Sequence, residues 1–274
     1  MNDPINLFSI LGLMDRGVTL DKSKVHLATN NGTDNPLRVY FEGKFAEWQS
    51  WQTKRNFTKD FVVSLIQLPE RDRWLYVGVY ASKACEWREV DKAFWYTLEP
   101  LQSCADLEGR LVIGFARPGR ASYLLAQSFG QQMAVQEMWR ERMHLEEFPG
   151  FKRVDLEWSD LEVVVRQDTT SWRTALSNVA GVYVISDPVD GKLYVGSATG
   201  EGGIWARWCQ YVDGHGNNVE LLKLIGQLGK ERARAFRFSI LEIADVNASR
   251  DEIVERESHW KRVLLTRTHG YNAN

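Results

Sequence analysis

The chain has 274 residues, 44% hydrophobic and 26% charged, with a formal net charge of −2. That length exceeds one ordinary domain and points to two. The composition excludes a long disordered tail, and nowhere do about 18 uncharged apolar residues run together as a membrane span would require.

Residues 1–17 show no basic stretch leading into an apolar run and a cleavage site, so the expected compartment is the cytoplasm. Cys85, Cys104 and Cys209 form no C-x-x-C pair, which leaves neither a disulfide framework nor a zinc knuckle. The near-neutral balance gives no basic footprint for nucleic acid by itself. Residues 171–274 hold 13 Lys and Arg against 12 Asp and Glu, leaving 21 against 24 elsewhere, so the C-terminal part is the less acidic.

Asn6 to Asp15 reads as a short helix and Leu37 to Phe41 as strand-like. Apolar runs at Phe61–Leu68, Trp74–Tyr80, Arg110–Phe115 and Leu161–Arg166 suggest a sheet, with Gln131 to Met143 the best helix candidate. The expected first domain, 1–166, is mixed α/β or β-rich and joins the second, 172–274, through the polar Gln167-Asp168-Thr169-Thr170. Seven tryptophans fall in it, Trp48, Trp51, Trp74, Trp87, Trp95, Trp139 and Trp158, with Arg55, Arg71, Arg73 and Arg88 among them. Such aromatics would suit stacking on an inspected base, so a targeting domain, one reading modified bases, is one expectation; core packing is the other.

Beyond the join, strands Val182–Ser186 and Leu193–Gly196 flank the turn at 187–191 and form a hairpin. Gly203 to Val212 carries Trp205, Trp208, Cys209 and Val212 at helical spacing. A second helix is expected at Val219–Leu228, then a strand in which Phe236, Phe238 and Ile240 alternate with polar residues. A last helix opens at the capping box Ser249/Glu252 and runs to about Leu265. The fold class expected is α+β. Lys230, Arg232, Arg234 and Arg237 make a local basic cluster, readable as a phosphate contact or as a solvated face.

Two positions stand out on physical grounds. Residues on a helix turn by about 100° each, which puts Glu257 within the inward stripe of Ile253, Trp260 and Leu264; a carboxylate there needs a cation, an Arg or a metal beside it. Arg207 and Tyr211, four apart, share one helix face.

Gly181-Val182-Tyr183 and Tyr194-Val195-Gly196 on successive strands, followed by Arg207, Glu257 and Gly270-Tyr271-Asn272, resemble the GIY-YIG nuclease signature. The resemblance covers about residues 172–274 and implies a small antiparallel sheet flanked by helices that hydrolyses DNA phosphodiester bonds. It implies that Glu257 holds Mg2+ or Mn2+, that Arg207 grips the phosphate, and that Tyr183 lies near the attacking water with Tyr194 and Tyr211 as partners. Which tyrosine acts as base stays open. Asn272 would order the site. His215, in a glycine-rich loop, and Gly196 are placed at the substrate, His215 being equally readable as a turn residue and Gly196 as a point of close backbone approach.

The expected function is a metal-dependent DNA endonuclease of restriction or phage-defence type, able to act as a homodimer on DNA. The alternatives are a repair or recombination nuclease on branched or damaged DNA, and a catalytically silent nucleic-acid-binding module.

Overall fold

The computed structural model describes residues 4–213, 226 and 229–272. The chain divides into two compact units, Met1–Met143 and His144–Asn274. Among the described residues no helix is long and apolar enough to cross a membrane.

The first unit opens with α1 (Leu7–Met14), whose N-cap Asn6 accepts from Phe8 N while its amide holds the Gly130 and Met133 carbonyls. Strand β1 (Ser23–Ala28) is followed by the short helices α2 (Pro36–Phe41) and α3 (Phe45–Ser50) and by β2 (Trp51–Gln52), β3 (Phe61–Gln67), β4 (Arg73–Arg88) and β5 (Ala93–Pro100). The unit closes with β6 (Leu111–Gly114), β7 (Tyr123–Leu125), the single turn α4 (Ala126–Phe129) and β8 (Ala134–Met138).

These strands make one sheet in the order β2-β5-β4-β3-β1-β7, with β6 joining β4 to β8; β1 and β3 run parallel. Both faces of the sheet are covered. Val63, Leu65, Trp74 and Tyr76 pack on one side with α1, and Val62, Ile66, Leu75 and Val77 on the other. That explains why β3 and β4 read as continuous apolar runs rather than alternating ones.

Three expected elements differ. Leu37–Phe41 is helical, because Asn35 caps it, accepting from Leu37 N, and Pro36 supplies the first helical position. Gln131–Met143 is not a helix: its Ala134–Met138 part pairs with β6, and that tertiary pairing overrides local preference. Leu161–Arg166 belongs to helix α5 (Trp158–Arg166), which buries Leu161, Val163 and Val164.

The second unit begins ahead of the expected join. Strand β9 (Leu156–Glu157) and α5 contribute to its sheet and core, so Trp158 is a core residue here rather than part of the first unit. After α6 (Thr170–Ser177) come β10 (Val179–Ser186), β11 (Leu193–Ala198), α7 (Gly203–Val212), α8 (Lys230–Ala233), β12 (Arg237–Asp245) and α9 (Arg250–Val263). The sheet is antiparallel in the order β11-β10-β12-β9. Its core gathers Trp158, Trp172, Tyr183, Trp208 and Phe238. The helix expected at Val219–Leu228 lies outside the described residues apart from Gly226, as does His215.

Candidate active site

The hairpin sets the geometry. In β10–β11 register Tyr183 stands opposite Gly196 and Ile185 opposite Tyr194. A Cβ at Gly196 would fall 2.5 Å from the Tyr183 hydroxyl oxygen, so the glycine lets the phenol lie across β11. Gly196 is buried and acts through packing, not on the side of the cleft described below. At Gly181 an added Cβ would run into the Glu242 carbonyl of β12, which makes it a second point of close strand approach.

The turn between the strands is held by Asp187, whose Oδ1 accepts from Val189 N at 2.9 Å and whose Oδ2 accepts from Tyr271 Oη at 2.6 Å and Arg232 Nη2 at 2.8 Å. Burial works to raise this carboxyl, but the donors of Tyr271, Arg232 and the turn backbone outweigh it and hold the group below the ordinary carboxylate range.

Edge strand β11 is covered by the chain's own C-terminal segment. Tyr271 N donates to Leu193 O at 2.8 Å. Asn272 then bonds both backbone groups of Val195: its Oδ1 accepts from Val195 N and its Nδ2 donates to Val195 O, each at 2.9 Å. The side-chain amide thus plays the part of a neighbouring strand, between Tyr194 and Gly196.

Helix α7 packs Ile204, Trp208 and Tyr211 into the core and leaves Trp205 and Val212 partly buried. Tyr211 therefore faces inward with Trp208, and the partly buried Arg207 guanidinium stands beside its ring, as the four-residue spacing requires. The Tyr211 hydroxyl hydrogen-bonds that of Tyr183, and both side chains are buried. Burial first, then the phenols of Tyr211 and Tyr194, push the Tyr183 hydroxyl well above its ordinary range, with the Arg207 charge pulling the other way. Arg207 carries its guanidinium 5.4 Å from the Tyr211 ring centre and donates to Gln210 at 3.2 Å. Burial alone would weaken its charge, but the phenols of Tyr183 and Tyr211 more than offset this and hold the cation more firmly than usual.

Glu257 occupies the half-buried stripe of α9, and Glu255 points to solvent, as the helical spacing requires. The carboxylate is not paired with Arg207. Its Oε1 meets Lys261 Nζ at 2.8 Å, one turn along the helix, and its Oε2 accepts from Ser197 Oγ at 2.5 Å. Arg207 and Glu257 line one polar cleft of about 400 Å³, together with Ser197, Thr199, Glu201 and Arg250. Tyr183 and Tyr211 are buried and are not among the residues lining this cleft; the Tyr183 hydroxyl is engaged with Tyr211, within reach of the Arg207 charge.

Ser197, Arg250 and Lys261 were not singled out from the sequence. The Glu257-x-x-x-Lys261 spacing was the available signal for the last. The basic cluster is largely committed elsewhere: Arg232 pairs with Asp187 and Asp190, and Arg237 with Asp155 and Glu157.

A tyrosine-bearing hairpin, an arginine-bearing helix and a glutamate-bearing helix that meet at one polar cleft match the resemblance to GIY-YIG nuclease domains. Over 94 residues, 34% of this chain, the sequence is 31% identical to intron-associated endonuclease 1 of enterobacteria phage T4. The match spans 36% of that relative's length. Two solved structures are also similar, the catalytic domain of the homing endonuclease I-TevI and a point mutant of the same domain. They are 29% and 27% identical, cover 35% of this chain and 98% and 94% of theirs, and give TM-scores of 0.27 and 0.28. No family model matches the chain.

Proposed function

We propose that this protein is a metal-dependent DNA endonuclease of restriction type, with hydrolysis in the cleft of the second unit and target selection in the first. The observation that carries the reading is the meeting of Arg207 and Glu257 on one polar cleft, backed by hydroxyl donors and buried phenols. Sequence similarity to an endonuclease supports it.

Among the described residues no three His, Cys, Asp or Glu side chains gather as a metal cage. The donors that do line the cleft are hard oxygens: the Glu257 and Glu201 carboxylates and the Ser197 and Thr199 hydroxyls. That set fits a magnesium- or manganese-like ion that keeps several waters and takes few protein ligands. When bound, such an ion would polarise the phosphate and stabilise the departing oxygen.

The chain's own groups supply the rest. Ser197 orients the Glu257 carboxylate, and Arg207 offers a permanently charged donor fork to the phosphate oxygens. The Tyr183 phenol, held well above its ordinary range by burial, stays protonated at neutral pH, so it donates rather than serving as a standing base. Asn272 keeps β11, and with it Ser197, at a fixed distance from α9.

The test is a nicking assay on supercoiled DNA with magnesium or manganese. Glu257→Gln and Arg207→Ala are each expected to lower the rate by roughly 10²-fold or more. Wild-type rates in Glu257→Gln would dismiss the assignment.

A further inference from the structure

The first unit contains a cavity of about 710 Å³ that plays no part in hydrolysis, a volume in the roughly 300–1,000 Å³ range of small-molecule sites. Its walls are aromatic and their planes are aligned. The His26 ring lies 5.1 Å from Tyr123 at 13° and 6.0 Å from Trp48 at 19°. Trp51 and Trp95, cross-strand neighbours on β2 and β5, also line it, and Trp51 is 43% exposed, at the rim.

Two of the indole N–H groups are already spent. Trp48 Nε1 donates to Asp34 at 3.1 Å and Trp95 Nε1 to Asp91 at 3.0 Å. The Arg88 guanidinium sits 4.1 Å from the centre of the Trp95 ring. Indoles fixed in this way give the cavity a flat, apolar lining, which selects a flat ligand.

The remaining chemistry is acceptor-rich. Asp34, Glu42 and Glu47 border the cavity; Glu42 is matched by Lys44 and Arg38, and Asp34 and Glu47 leave the lining acidic, so a phosphate would be repelled from it. At the buried end, His26 Nδ1 lies 3.1 Å from Gln49 Oε1, which also accepts from Ser64 at 2.7 Å. With an acceptor facing Nδ1, the ring proton sits there and Nε2 is left as a further acceptor. Burial keeps this ring neutral, pulling it down to about 4. A flat guest that satisfies such a wall must bring donors. Among the bases, cytosine, adenine and guanine carry exocyclic amino donors and thymine carries none.

We propose that this cavity receives one DNA base swung out of its strand, a base bearing an exocyclic amino group, which stacks on the aligned aromatic walls. The inference rests on the reading above that the chain acts on DNA, and it specifies what the first unit selects. Extrusion costs least for an unpaired base, and stacking on the indoles offsets that cost.

The test uses the full chain with chelator present, so that no strand is cut, and measures anisotropy of labelled duplexes. The duplexes are identical except for one central unpaired cytosine, adenine or thymine, or none. Cytosine or adenine duplexes are expected to bind at least tenfold more tightly than the thymine or fully paired ones. Trp51→Ala, at an exposed position, is expected to weaken the tight binding by roughly five- to 150-fold, the range found for loss of one stacking ring, and to leave the paired duplex unaffected.

Equal affinity for all four duplexes, or a preference untouched by both Trp51→Ala and Tyr123→Ala, would overturn the proposal. Magnesium-dependent nicking run in parallel separates the two readings. A protein that nicks but binds all duplexes alike loses the base site only; one that discriminates among bases but never nicks loses the hydrolytic centre only.

Discussion

Replacing Asn272 by alanine removes two hydrogen bonds and fills nothing in return. Asn272 is 3% exposed and Val195 fully buried, so the substitution strips Val195 N–H and C=O of their partners inside the protein. A buried polar group left bare costs about 1–3 kcal/mol. With two groups and some entry of water at the sheet edge, the expected loss is about 2–4 kcal/mol. Urea denaturation of the full chain, followed by tryptophan fluorescence, should show it as a lower midpoint for the transition of the second unit.

Asn272→Asp sharpens the test. Its carboxylate can still accept from Val195 N–H but sets a second acceptor against the Val195 carbonyl, so at neutral pH it should be at least as damaging as alanine. Part of that loss should return in acid, when the protonated group becomes a donor. An alanine variant within about 0.5 kcal/mol of wild type, the ordinary range of neutral surface changes, would refute the view that this amide stands in for a strand.

Two other outcomes are expected. His26 titrates near 4 in the folded protein against 6.5 in the unfolded chain, so above 6.5 it contributes no pH dependence. As pH falls from 6.5 to about 4, the unfolded state takes up a proton that the folded state refuses, and stability drops by about 3 kcal/mol, with no further loss from this group below 4; that part of the slope should be missing in His26→Gln. Gly196→Ala drives a methyl group to 2.5 Å from the Tyr183 hydroxyl oxygen, and the displaced ring should cost about 1–3 kcal/mol in a melting experiment. It should also slow nicking by more than an alanine placed at Gly12, where an added Cβ makes only an ordinary contact.

Much of the second unit was legible because its signals are local. The apolar spacing of Gly203–Val212 gives α7 with both ends correct, and Ser249 caps α9, accepting from Glu252 N as the capping box requires. The first unit was harder. Its sheet is buried on both faces, so β3 and β4 lack the alternation that marks a half-exposed strand, and β8 exists because β6 is there to pair with it.

At the site, the sequence placed Arg207 and Glu257 near one another but missed what holds them. Ser197 reaches Glu257 across 60 residues, and the Asp187 turn recruits Arg232 and Tyr271 from 45 and 84 residues away. Such partners leave no periodic trace. The four-residue spacing of Arg207 and Tyr211 was legible, and the two do lie together beside Tyr183; that the Tyr211 ring is buried was not.

The pairing of Glu257 with Lys261 has a consequence for how the protein rests between encounters. A half-buried acid with no counter-charge would strain the folded state; here an ammonium one helical turn away already neutralises it. Under the hydrolytic reading, Glu257 therefore exchanges one cation for another instead of filling a void. Swapping partners releases less free energy than filling an empty acidic pocket, which favours loose, readily reversed retention of the divalent species, and Lys261, once let go, is free to turn its charge toward the incoming DNA.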